Sequence, residues 1–561
     1  MKSYDVAICG GGLAGLTLAR QIKLQQPDRS VALIERVMRP LPEATHKVGE
    51  SSVELGANYL AEKLQLSAYF SEHHFKKMGL RYFFGDSTGP FERRPEFGLS
   101  AFPAIDSYQI DRGKFENDLR QLNASSGIEV IEGRKVQKIC LATDQQAHKI
   151  SLESQRSTNQ ETIYARWVID AMGRRRYLQK KLNLSRKTEA KCSAIWFRLA
   201  GRVDIDDLVS GMSEWHTRVP DRQRYFSTNH LMGDGYWVWL IPLATNKTSV
   251  GIVTQESIHP FETFNTYERA IKWLHTNEPR LADHIQHYPP LDFRCMRRYS
   301  YSSTQVFSAE RWACVGEAGL FPDPFYSPGI NLIGFANSIT NEMIKLDFEG
   351  QLTPELVNEY NRFYIGMNNA LTTNIQLGYP FFGDGTVMAA KLLWDNSAAW
   401  AFACPQMFNS TYLHPDKQKG FREATSRFFW LTKRMQRLFI EWSAKSPGQL
   451  TYDFIDYLGL DFLREWRLRN LQSNKSTEEI VADQHFNMQR FEELAQVLFL
   501  LAIEDVMPEY LPCFPEPLWI NAWRVGLDPE RWEKDRLFYP TSMPRDLSAI
   551  RTQIRRHFYV K

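Results

Sequence analysis

The sequence predicts an α/β chain: a parallel-sheet domain built on a βαβ unit, interleaved with an antiparallel sheet and followed by a mostly helical C-terminal region. Three observations predict it. A strand, a glycine-rich turn, a helix and a second strand occupy the N-terminus up to Glu35. Short β-favouring runs recur through 120–165 and again through 191–294, and beyond 346 apolar residues recur at helical spacing between charged faces. The expected divisions are 1–190 with 295–345 for the parallel domain, 191–294 for the antiparallel sheet and 346–561 for the helical region.

Taken in order, Tyr4 to Cys9 is short, apolar and β-favouring, and Gly10-Gly11-Gly12-Leu13-Ala14-Gly15 follows it directly. Leu16, Ala19 and Ile22 then mark one face of a helix, and Val31 to Ile34 forms a second strand that ends on Glu35-Arg36. This is G-x-G-x-x-G at the first turn of a βαβ unit, a Rossmann-type arrangement. Gly10 permits the tight turn, Gly12 lets the backbone approach a pyrophosphate, Gly15 lets helix pack on strand, and Glu35 can take a ribose hydroxyl. The unit predicts a dinucleotide site. Alternating runs at 129–139 suit strands returning to this sheet before Asp170, and Ser193 to Phe197 with Thr248 to Val253 suit the antiparallel sheet. A helix is expected from Gly329 through Ala336, Ile339 and Met343, and the aromatic side chains of the helical tail read mainly as core.

Composition bounds the function. The chain has 561 residues, 68 basic and 65 acidic, and a net charge of +3 gives no field for steering nucleic acid or an anionic membrane. The 7 cysteines are scattered without a C-x-x-C, which indicates neither a disulfide framework nor a metal site. No run of roughly 18 apolar residues appears, so no membrane span is expected and the location reads as cytoplasmic.

Three later segments resemble the FAD-dependent monooxygenase fold: Tyr108 to Phe115, where the resemblance places Arg112 near the cofactor; Trp167 to Arg174 with Asp170; and Val315-Gly316-Glu317-Ala318-Gly319, where relatives usually carry Asp in place of Glu317. Within that fold the chain resembles the flavin-dependent halogenases. Val48-Gly49-Glu50-Ser51 is similar to their isoalloxazine segment, and Trp237-Val238-Trp239-Leu240-Ile241-Pro242 matches their W-x-W-x-I-P motif at every fixed position. Alternation puts Trp237, Trp239 and Ile241 on one face of a strand, with Pro242 expected to end its ladder. Asp323-Pro324-Phe325-Tyr326-Ser327-Pro328-Gly329-Ile330-Asn331 resembles the segment that closes the flavin pocket, and Lys76-Lys77-Met78-Gly79 the phenol and pyrrole halogenase lysine stretch.

The resemblance implies FAD as cofactor, held by the glycine turn with Leu13 and Ala14, by Glu35, Arg36, Val48 to Ser51, Arg112 and Asp170, and by Gly316, Glu317, Pro324 and Gly329 to Asn331. It implies reduced flavin and O2 as reagents, through a hydroperoxide that either oxygenates the substrate or oxidises halide. Lys77 then stands where halogenases deliver the halogen. One feature disagrees. The family holds halide with backbone N–H groups at the positions of Pro328 and Gly329, and proline has none; the loss is worth about 1–3 kcal/mol, a tenfold or larger loss of halide affinity. Weighing Pro328 against Lys77 and the tryptophans gives oxygenation of an electron-rich aromatic, free or carrier-tethered, as the leading expectation. Halogenation through Lys77 is the alternative, and a flavin-bound scaffold without turnover is a second one. No second glycine-rich nucleotide turn is visible, so a separate flavin reductase or a transient NAD(P)H is expected to reduce the FAD.

Overall fold

The computed structural model describes residues 2–41, 47–143, 145–154, 160–189, 191–448, 452–515, 518–539 and 546–558. Its first sheet has a parallel heart. Lys2–Cys9 lies between Val31–Glu35 and Gln160–Asp170, and Glu129–Glu132 and Trp312–Cys314 extend the sheet on either side, all in parallel. Val6 to Cys9 and Val31 to Ile34 are continuously buried, as strands covered on both faces must be. A hairpin, Arg134–Cys140 with His148–Ser154, hangs antiparallel from Gln160–Asp170.

Helix Leu13–Gln25 packs beside helix Gly329–Phe348. Polar groups fix this contact as well as apolar ones: the Asn337 amide donates to the Ala14 carbonyl at 3.0 Å and to Thr17 Oγ1 at 2.9 Å. Buried amides that lose a partner cost about 1–3 kcal/mol, so these bonds help to fix the register of the two helices.

The second sheet runs Arg294–Met296, Cys192–Ala200, Lys247–Gln255, Tyr236–Leu243, Thr228–Gly233, Leu80–Phe83, Glu96–Gly98, Phe454–Asp456. It is wider than the stretch 191–294 expected from sequence. Leu80–Phe83 joins it in parallel with Thr228–Gly233, and Phe454–Asp456, from the C-terminal region, adds a parallel strand beyond Glu96–Gly98. These strands have three or four residues each, too few for a period to show. The tryptophan strand also departs from expectation at its end: Pro242 pairs with Thr248, and the ladder to Lys247–Gln255 continues through Leu243. Pairing to Thr228–Gly233 has already ended at Leu240, so that side of the strand is unpaired at Pro242.

Alternation along this strand feeds two cores. Trp237, Trp239 and Ile241 face the parallel domain, while Val238 and Leu240 enter a separate cluster with Phe197, Trp215 and Phe264. The C-terminal region is helical, dominated by Pro415–Ser443 and Thr477–Val506. Phe402 stacks on Phe428 at 4.2 Å and Trp394 meets Phe491 edge-on at 4.9 Å, which makes these rings core. Each fully buried side chain of this size contributes roughly 1.5–3 kcal/mol.

Candidate active site

Two cavities meet at one thin partition. The larger, about 360 Å³, lies where the glycine turn, the Val48–Ser51 segment, the tryptophan strand and the start of helix Gly329–Phe348 converge. Gly10 has φ +118°, and a Cβ there would stand 2.3 Å from the Ala171 carbonyl oxygen; a Cβ at Gly15 would stand 2.0 Å from the Gly10 oxygen. Gly12 differs, since its Cβ would meet nothing within 4 Å. The two outer glycines therefore serve backbone packing, and the middle one leaves room in the cavity at a helix N-terminus. That combination fits a pyrophosphate. Leu13, Ala14, Val48 to Ser51, Arg112, Gly316, Glu317, Pro324 and Gly329-Ile330 line this same cavity.

Other assigned residues lie around it. Asp170 is fully buried and accepts from the Met172 and Leu178 amides at 3.1 and 2.8 Å; burial raises it to about 6 despite those bonds. It holds the strand end beneath the glycine turn. Glu35 accepts from the Gly11 and Val37 amides, and Arg36 is exposed. Asn331 departs from its assignment and lines the second cavity. Successive helical residues project about 100° apart, so the first turn of Gly329–Phe348 straddles the partition: Ile330 faces the first cavity, Asn331 the second, and Pro328 and Leu332 border both.

Electrostatics in the first cavity come partly from residues that sequence reasoning missed. Lys47 pairs with buried Glu116, and burial lowers it to about 7. Its signal was a charge immediately before Val48-Gly49-Glu50-Ser51. Arg112 donates to the Val48 carbonyl at 2.8 Å and to Glu116, and burial brings it down to about 10. Glu50 is buried with Arg198 3.6 Å away, and burial raises its carboxyl to about 7 against that cation. Trp237 and Trp239 stand 5.6 Å apart, their indoles tied to Tyr379 and Ser249. Trp239 lies over Gly251, where a Cβ would come within 2.1 Å of the ring. His230, missed as well, stacks on Tyr82 at 4.7 Å and is lowered by burial to about 3, so it stays neutral.

The second cavity, about 200 Å³, lies beyond the partition and is lined in part by residues of the helical region. Lys77 lines it and is 1% exposed. Its Nζ donates to Ser51 Oγ at 2.7 Å and to the Ser52 carbonyl at 2.8 Å, and burial lowers it to about 7. Ser327 Oγ donates to the same Ser51 Oγ at 3.1 Å. Ser327 holds φ +53°, a left-handed conformation that costs a non-glycine residue about 1–3 kcal/mol and that its position at the partition retains. Trp400, Asp395, Tyr457 and Arg467 come to this cavity from the C-terminal region, and only their distance in sequence hid them.

This fold and site define a flavin-binding class of enzyme, with a second cavity beside the one at the glycine turn. A tryptophan halogenase family profile matches residues 99–382, and the chain belongs to that family. It is therefore an FAD-dependent oxidoreductase. The flavin-dependent halogenase chlA of Dictyostelium discoideum is 24% identical over 449 residues, covering 74% of this chain and 72% of that one. The 1H-pyrrole-2-carbonyl-peptidyl-carrier protein chlorinase of Pseudomonas fluorescens is 28% identical over 349 residues, covering 59% and 73%. Among solved structures, halogenase PltM superposes with a TM-score of 0.61 at 17% identity, over 87% of this chain and 96% of that one. Among the described residues no helix is long and apolar enough to cross a membrane.

Proposed function

We propose that this enzyme halogenates an electron-rich aromatic held in the second cavity, with Lys77 delivering the halogen. The single observation that carries this reading is the position of Lys77: its ammonium lies in the second cavity, across the Ser51–Ser327–Pro328 partition from the cofactor cavity. A ring beyond that partition would be held away from the flavin, and Pro328 and Leu332, which border both cavities, mark where a small oxidant would cross. FAD held at Gly12, Val48 to Ser51 and Arg112, and reduced by a separate reductase, would supply the activated oxygen for halide oxidation. Two of the Lys77 N–H groups are committed to Ser51 and Ser52, which leaves the third for hypohalous acid.

Pro328 favours the second reading, direct oxygenation. Halogenation remains the better-supported one because the first-turn N–H groups of helix Gly329–Phe348 lack intrahelical acceptors and no side chain caps them. They retain an anion-binding end with one donor fewer. Pro328→Ser restores that donor, and the KM for bromide is expected to fall about tenfold, the worth of one hydrogen bond to an ion. An unchanged KM would place the halide elsewhere.

The pH dependence follows from Lys77. Its ammonium is full below about pH 7 and is lost as pH rises through that value. Halogenated product per O2 consumed is therefore expected to fall through about pH 7. The ratio isolates transfer from flavin turnover, which Lys47 and Glu50 influence from the other cavity. The reading is tested by the product mass with a panel of phenols and pyrroles, free and carrier-bound, with and without halide.

A further inference from the structure

The second cavity holds a carboxylate for which the proposed reaction has a use. Glu54 lines it together with Lys77. Arg467, from helix Asp461–Asn470 of the C-terminal region, donates to Glu54 Oε1 through Nε at 3.2 Å and through Nη2 at 2.7 Å. Both bonds fall on Oε1, so Arg467 leaves Oε2 untaken. Arg467 is itself 2% exposed and lies 5.5 Å from the Trp400 ring, on the cavity wall. A guanidinium seated on one carboxylate oxygen fixes the direction of the other.

We propose that Glu54 is the catalytic base that takes the proton from the substituted ring carbon, positioned by Arg467. This rests on the reading that an aromatic is modified in the second cavity. The ring carbon's π pair forms the carbon–halogen bond. The O–X bond of hypohalous acid breaks with its pair on oxygen, which takes a proton from the Lys77 ammonium and leaves as water. The ring C–H bond then breaks, its electron pair restores the aromatic sextet, and the proton goes to Glu54 Oε2. Proton return from Glu54 to the Lys77 amine closes the cycle, and arene plus hypohalous acid has become haloarene plus water.

The charged surroundings suit this role. Burial would raise the Glu54 carboxyl, but Arg467, by charge and hydrogen bond, the Glu54 backbone N–H, by hydrogen bond, and Lys77, by charge, hold it below its ordinary value. It is ionised and ready to accept at neutral pH. Tyr457 and Cys404 also face the Glu54–Arg467 pair, and His230 faces Lys77 from the other cavity. Glu54 in turn raises Lys77 against burial, so the two groups are electrostatically linked.

The test compares ring-protiated and ring-deuterated substrate in the wild type, Glu54→Gln and Glu54→Asp holoenzymes. Glu54→Gln is expected to bind FAD normally, to lose about 100-fold in turnover, and to show a primary deuterium isotope effect that the wild type lacks, because loss of the ring proton has become slow. Its alkaline limb should move to lower pH, since Lys77 loses a neighbouring anion. Glu54→Asp keeps a carboxylate and should recover part of the rate with a smaller isotope effect, which serves also if Glu54→Gln loses FAD. Equal isotope effects in all three proteins would overturn the role. Product identity separates this inference from the functional reading: an oxygenated product overturns halogenation, yet the isotope effect still tests Glu54, since oxygen transfer also leaves a ring proton to remove. A wild type that gives neither product overturns both.

Discussion

Lys77→Ala is expected to cut halogenated product at least about 100-fold while the protein keeps its full complement of FAD. The separation follows from geometry: Lys77 lines the second cavity, while Gly12, Leu13, Ala14, Val48 to Ser51, Arg112, Gly316 and Glu317 line the first. General-acid side chains contribute about 10²–10⁴-fold, and Lys77 is the one lysine among the described residues lining that cavity. Product formation is read by mass spectrometry and bound FAD by its visible absorbance. Loss of FAD together with product would make Lys77 a structural residue of the Ser51 and Ser52 segment instead. Ser51 Oγ still meets Thr228 Oγ1 at 2.8 Å, so the partition keeps a hydrogen bond without the lysine.

Gly15→Ala is expected to abolish FAD binding outright. The added methyl would stand 2.0 Å from the Gly10 carbonyl oxygen and 3.2 Å from Ala171 Cβ. Neither neighbour is the far end of a flexible side chain, so helix Leu13–Gln25 would have to leave the strand it packs on. Gly12→Ala provides the contrast. Its methyl enters open space in the first cavity, so the fold and melting temperature should hold while FAD affinity falls. Titration of the apoproteins with FAD, beside thermal melts, checks both. Equal effects from the two substitutions would break the link between these glycines and the cofactor.

The parts of the fold that were legible in the sequence are those where backbone geometry dictates residue type. The glycine turn must be glycine at 10 and 15 because carbonyl groups occupy the Cβ positions, and the tryptophan strand alternates because its two faces enter two different cores. Lys77 was singled out through its neighbours and its resemblance, and it lines the second cavity. What stayed hidden depended on long-range closure. Leu80–Phe83 and Glu96–Gly98 are too short to show a period, and their place in the second sheet is set by the strands beside them. Asn331 was assigned with Gly329 and Ile330 because the three are consecutive, but a helix turns consecutive side chains to different sides, here to different cavities. Arg467 reaches Glu54 across 413 positions of sequence, and no local pattern encodes that contact.

Pro328 carried the sequence reading toward oxygenation because it removes a single donor. The structure adds the distribution of space around it. Pro328 borders both cavities, so on the proposed reading its ring would weaken an anion site and also keep the aromatic substrate apart from the flavin. The second effect bears directly on which electrophile can reach the ring.

The central claim is that a small halogenating oxidant crosses the partition and the flavin does not touch the ring. It is tested most directly by product mass from the FAD-loaded wild-type enzyme, reduced by a flavin reductase and exposed to O2 with an electron-rich phenol or pyrrole, with and without bromide. The account predicts product carrying one bromine that appears only with bromide and vanishes in Lys77→Ala. Product carrying one added oxygen, formed equally well without halide, would contradict it.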